Sequence, residues 1–277
     1  MKVKLIEMTK LCLFLSLLAV SSNPLWAQTS VNQLDNISSK NDVIFNSLIT
    51  TTYSTNLNKP DSVNFSNSMD LDAELAAIYK GIRFSLSTGM TKNLTGERRT
   101  LLNNASLGAV KNLYSFNKNW SILGSSRLVI PLSEAARDFQ KQITGVSVAT
   151  PIVWRNSSWR ISYGPSVVTN FHQTQTALNG TSNFQYILGQ SLSILHFKSN
   201  GFYAMANSSY SRLISYQGNT LDNYRFTQLV GYSIGMYDFA VGHVMGGSPL
   251  APNGVETDIR FFDSRDSTLF GMLTVLF

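Results

Sequence analysis

Cysteine, histidine and charge are all scarce in this chain, and each scarcity removes a class of function. The single cysteine, Cys12, lies in an apolar run from Leu11 to Val20, preceded by Lys2, Lys4 and Lys10 and followed by Leu25-Trp26-Ala27. That is the layout of an export signal cleaved before Gln28. With the signal removed, no disulfide and no thiolate metal site can form. Lipid attachment at Cys12 is excluded too, because an acylated cysteine follows the apolar run and does not sit inside it. Three histidines with no paired spacing argue against a metal centre, so the expected metal and cofactor complement is none. No later stretch approaches the ~20 uncharged residues that a membrane-spanning helix needs.

Charged residues make up 14% of the 277 residues, against ~25% in soluble domains. Taking Lys2, Lys4, Lys10 and Glu7 away from 22 basic and 16 acidic residues leaves 19 and 15, a mild formal excess of +4. The basic residues are scattered and form no stripe, which excludes a nucleic-acid partner. Ser, Asn and Thr are plentiful instead. Low charge with high uncharged polarity suits a surface that meets lipid on one side and water on the other.

Alternation with period two recurs in segments of ten to fifteen residues: 43–54, 69–80, 82–91, 101–113, 119–131, 143–155, 158–171, 183–197, 201–214, 224–235, 236–245 and 267–277. Each is long enough for a tilted strand to cross a bilayer. Ile82, Phe84 and Leu86 alternate with Arg83, Ser85 and Ser87. Trp159, Ile161, Tyr163 and Val167 alternate with Arg160, Ser162, Gly164 and Ser166, and the segment at 224–235 behaves likewise. Such alternation places the two faces of a strand in different surroundings.

The joins between segments alternate as well. Lys80-Gly81, Tyr114 to Lys118, Asn156-Ser157, Lys198 to Gly201 and Gly235-Met236 are short, whereas 55–68, 92–100, 132–142, 172–182, 215–223 and 246–266 are long and polar. Beside the short turns sit Tyr79, Trp120, Trp154, Trp159, Phe202 and Tyr237, with Phe277 at the same end by parity. Amphipathic rings gathered at one depth form the girdle found where a membrane meets water. The chain closes on GMLTVLF, an alternating apolar strand ending in an aromatic residue.

These features together resemble the bacterial outer-membrane β-barrel class. The resemblance covers the whole mature chain, is architectural, and matches no motif of a single family. It implies an all-β fold: one transmembrane antiparallel up-and-down barrel of about 12 strands, with short periplasmic turns and long extracellular loops. The expected organisation is a signal peptide at 1–27, a periplasmic segment at 28–42 and the barrel at 43–277. It also implies a place in the outer membrane of a Gram-negative bacterium. Lipid and lipopolysaccharide, the barrel-assembly machinery acting on the last strand, and small solutes are the expected partners.

Charge on the lipid face costs ~2–4 kcal/mol at the midplane, so Asp70, Asp72 and Glu74 are expected to point inward, opposite Leu71, Leu75 and Tyr79. Arg83, Arg127, Arg160 and Arg225 face in by the same parity. Such groups either pair to fill a narrow interior or set up a field across a pore. The leading expectation is a passive, porin-like channel for small hydrophilic solutes; the alternative is a closed structural or adhesive barrel acting through its outer loops. Ser133 can cap a short helix in the third outer loop, folding inward or lying over the rim. In the last loop, residues 255–262 could extend the strands as a hairpin arm. Gln190, Gln228 and Arg212 fall on the lipid-facing parity and break the pattern. No enzyme is expected. His196-Phe197-Lys198-Ser199-Asn200-Gly201 is similar to the His-x-Ser-Asn-Gly stretch of the outer-membrane phospholipase, but it is one residue too long and lies beside a periplasmic turn, while that enzyme works at the outer leaflet.

Overall fold

The computed structural model describes residues 43–62, 64–249, 259–263 and 267–277. The expected signal peptide, the segment 28–42 and residues 250–258 lie outside the described residues. Strands β1 (Ile44–Asn56), β2 (Asn67–Tyr79) and β3 (Ile82–Asn93) are followed by β4 (Thr100–Leu102), β5 (Ala105–Ser115) and β6 (Trp120–Ile130). Next come β7 (Gln142–Ala149), β8 (Ile152–Arg155), β9 (Trp159–His172), β10 (Phe184–Phe197) and β11 (Phe202–Ser215), then β12 (Thr220–Ile234), β13 (Tyr237–Gly247) and β14 (Thr268–Leu276). All pairings are antiparallel, and the ring closes through β1 and β14.

Fourteen strand pieces make twelve staves. β7 and β8 keep one register against β6, Ala149 opposite Ser125 and Ile152 opposite Ile122. Pro151 interrupts them because it has no N–H to give the ladder, yet its carbonyl still accepts from the Leu123 N–H at 2.9 Å. β4 extends the β5 stave along β3, opposite Met90 to Lys92.

The apolar end of the chain is explained by closure. β14 pairs with β1 from Leu48–Leu276 to Asn56–Thr268. Beyond the last pair, the Phe277 N–H donates to the Ser47 carbonyl at 2.9 Å and the Ser47 N–H returns a bond to the Phe277 carbonyl at 3.2 Å. No edge of the ring is left to pair with another chain.

Side chains sort by parity. On β2, Leu71, Leu75 and Tyr79 are exposed on the outer wall, while Glu74, Ala76 and Ile78 are buried inside. Phe84, Leu86, Leu192, Val230 and Val241 continue an aliphatic and aromatic outer wall. An apolar surface of this extent is foreign to a water-facing monomer and is what a barrel in hydrocarbon presents. Lys80 and Gly81 both take positive φ, 48° and 71°, which makes the two-residue hairpin whose twist matches its strands.

One expected loop is shorter than 215–223. β12 begins at Thr220, leaving only 216–219 between it and β11, so the sorting of long and short joins fails at this position. The stretch 220–223 reads as loop because Thr220, Asp222 and Asn223 are polar. They are held as strand by the ladder to β11 and by Arg212, whose guanidinium binds the Asp222 carboxylate in bidentate fashion at 2.8 and 2.9 Å.

Two glycines admit aromatic rings to the interior. A Cβ on Gly231 would overlap the Tyr203 ring, and one on Gly242 would overlap Phe270 and the Gln228 carbonyl. Valine at position 231 is expected to destabilise the barrel by about 1–3 kcal/mol through overpacking, read as a lower urea midpoint in detergent or lipid.

Candidate functional site: the barrel interior

Inside the ring lies a cavity of about 700 Å³. Ten serines from six staves line it, among them Ser85 of β3, Ser125 of β6, Ser147 of β7, Ser162 of β9, Ser191 of β10 and Ser209 of β11. The same positions on neighbouring strands are opposite one another in register, as in Ser193–Ser162 and Ser191–Ser209. Small hydroxylated side chains at inward parity leave the space open and wet its walls. Gly108, Gly164 and Gly189 widen it further.

Charge enters on separate staves. Glu74, Arg83, Arg127, Arg160 and Arg225 all line this cavity. Glu74 and Arg83 form an ion pair between β2 and β3, with only 7% and 3% of their side chains exposed. Asp70 and Asp72 share the inward face with Glu74 but stand nearer the long-loop end, outside the cavity lining. Asp70 accepts from the Thr91 hydroxyl at 2.5 Å, and Asp72 lies against the bare backbone of Gly89. Sequence parity brings the seven candidates to one face, and barrel closure brings five of them around one space.

Toward the short-turn end, the β10–β14 side of the interior is filled with apolar groups. Leu195, Met205, Leu229 and Ala240 are buried, with Phe197, Tyr203, Phe270 and Met272 packed against them. Below this cluster Asp238 accepts from the Tyr203 hydroxyl at 2.5 Å and from the Ser233 hydroxyl at 2.7 Å. The parity reading missed the cluster. Its signal was present where apolar residues run on both parities, as in Ile194-Leu195 and Leu229-Val230, a pattern of strands covered on both faces.

The rim of short turns carries the expected rings. Tyr79, Trp120, Trp159, Tyr237 and Phe277 are exposed on the outer wall. Trp154 stands opposite Trp120 on the adjoining stave, and Phe202 opposite Tyr232. Arg212 and Gln228 lie on the outer wall, and Gln190, which also borders the cavity, turns its exposed side chain to Tyr163. Gln190 accepts from the Tyr163 hydroxyl at 3.0 Å, Arg212 is engaged by Asp222, and Gln228 stands opposite His243 and Ala206. Arg212 and Gln190 thus keep their polarity by pairing along the wall, and no bulge is needed at either position.

The loops depart from two expectations. In the third, Ala135–Phe139 forms one wide helical turn; the Ser133 hydroxyl accepts from the Ala136 N–H at 3.3 Å. No residue of this turn lines the cavity. Arg137 hydrogen-bonds Asp138 there and holds its carboxyl below the usual range. In the last loop, Ile259 to Asp263 are not a strand, which removes the described part of the hairpin arm. They lie back on the outer wall instead: Phe261 meets Phe226 edge-on at 5.0 Å, and Phe262 lies against His243 at 5.5 Å. His196 stacks on Trp159 at 4.4 Å between ring centres, on the outer wall. Its site there is an aromatic rim, and the short His-x-x-Ser spacing is turn chemistry.

No family model matches the chain, and no curated protein matches it in sequence. Solved structures do match in shape. An outer-membrane channel from Pseudomonas putida F1 aligns with a TM-score of 0.58 at 12% identity, covering 84% of this chain and 95% of that one. The NanC porin aligns with a TM-score of 0.55 at 7% identity, covering 83% of this chain and 98% of the porin. At such identity the likeness concerns the fold alone: a closed antiparallel barrel of the outer-membrane β-barrel class.

Proposed function

We propose that the chain is a passive outer-membrane channel for small hydrophilic solutes, with the short turns in the periplasm and the long loops outside the cell. The observation that carries the reading is the open cavity inside a closed barrel, where ten serines and four arginines share the lining with aliphatic side chains such as Val110, Leu123 and Val153. Two solved structures of similar shape, one described as an outer-membrane channel and one as a porin, support it. Water and polar solutes cross such a lumen because its walls replace part of their hydration.

The buried cluster around Leu195 and Leu229 favours a second reading, a closed barrel that works through its outer loops. Planar-bilayer recording of the refolded protein separates the two. The channel reading predicts discrete current steps, and Arg127→Ala is expected to lower the step size by about twofold at low salt, since removal of one lumen charge lowers the local concentration of counter-ions. Absence of steps, with surface binding lost when the last outer loop is trimmed, favours the closed barrel.

A further inference from the structure

We propose that the cavity selects small oxyanions, carboxylates or phosphates, at three arginines carried by separate staves: Arg127, Arg225 and Arg160. The inference rests on the channel reading and names its solute class. The three residues stand at different depths. Arg225 is the sixth residue of β12 counted from the long-loop end, Arg127 is the fourth residue of β6 from the same end, and Arg160 is the second residue of β9 from the short-turn end. All three face one space although they belong to three separate staves.

The charge count within that space is one-sided. Among the described residues, four arginines line the cavity against one carboxylate, Glu74, and that carboxylate is paired with Arg83. The other inward acids are placed elsewhere. Asp70 and Asp72 lie toward the long-loop end on β2, the former bound by Thr91, and Asp238 lies at the short-turn end under Tyr203 and Ser233. A solute descending from the loops therefore meets carboxylates on one wall at the mouth and then a net positive waist. Low-dielectric walls focus that field into the cavity and raise the local concentration of anions.

The chemistry of the waist favours oxyanions over halide-like ions. A guanidinium presents a planar fork of N–H donors that matches two oxygens of a carboxylate or phosphate. The serines between the arginines, such as Ser147 opposite Arg127 and Ser209 opposite Arg225, add hydroxyl donors at the same level. A cavity of about 700 Å³ accommodates a small organic acid within the size range usual for ligand sites, about 300–1,000 Å³.

The full-length refolded protein tests this in planar bilayers under gradients of potassium chloride, potassium gluconate and potassium phosphate. The expected reversal potentials report an anion preference of about tenfold from field focusing. Arg127→Gln with Arg225→Gln removes most of it, and the corresponding lysine pair retains it while controlling for folding. Current that is unselective or cation-selective in the wild type overturns the anion inference and leaves the channel reading standing. If no current flows in any salt, the channel reading fails, and equilibrium dialysis of labelled gluconate and of inorganic phosphate against the folded protein decides the subsite. Saturable retention of either anion, weakened about tenfold or more by the glutamine pair as loss of charge-assisted bonds requires, supports it and identifies the source. Retention of neither overturns it.

Discussion

Glu74→Gln is expected to destabilise the barrel by about 3–5 kcal/mol, the usual effect of breaking a buried ion pair from one side. Glu74 and Arg83 face each other across β2 and β3 inside the ring, and both side chains are almost wholly buried. Taking two charges out of water costs several kcal/mol each, and their mutual attraction offsets that only while both are present. Glutamine keeps the shape and a hydrogen-bonding oxygen but leaves the guanidinium charge poorly compensated in low dielectric. The double change Glu74→Gln with Arg83→Met is expected to recover most of the loss, because it removes the buried guanidinium charge along with the carboxylate that balanced it. Urea unfolding of the three variants in the same lipid measures this. A single substitution that leaves the midpoint unchanged would mean that water reaches the pair freely.

Leu192→Arg and Ser191→Arg should differ sharply although the residues are adjacent. Leu192 is exposed on the outer wall of β10, whereas Ser191 lines the cavity. Arginine on the lipid side at the midplane costs about 2–4 kcal/mol. Arginine in the lumen keeps much of its hydration and is expected to cost less than on the lipid side, changing conductance more than stability. Equal penalties at both positions would contradict the parity assignment, whatever the fold of the rest.

The staves and their faces were legible because they follow from local chemistry. Leu71, Leu75 and Tyr79 against Glu74, Ala76 and Ile78 is a period-two pattern that any reading of residues 67–79 recovers, and the structure bears it out. The last strand was legible from the alternation of GMLTVLF, and the structure pairs it with the first. Three things were not. Strand β12 begins four residues before the alternation does, because Thr220 to Asn223 are held by cross-strand bonds to β11 and not by burial. The Leu195–Met205–Leu229–Ala240 cluster joins four consecutive strands, and each contributes one apolar residue that looks like an exception to its own polar face. The meeting of Arg127, Arg160 and Arg225 around one cavity depends on closure of the ring, which places side chains from β6, β9 and β12 at chosen depths. Parity gives a residue its face; only the register of every strand in between gives it neighbours.

Single-cysteine scanning of β10 tests the central claim most directly. Cys12, the only natural cysteine, precedes the expected cleavage site, so each introduced thiol from position 186 to 194 can be spin-labelled alone in lipid. Alternation of side chains between oil and water predicts that collision with dissolved oxygen dominates at 186, 188, 192 and 194, and that collision with a water-soluble nickel chelate dominates at 187, 189, 191 and 193. A profile without period two, or one with the chelate reaching both sets equally, would contradict it.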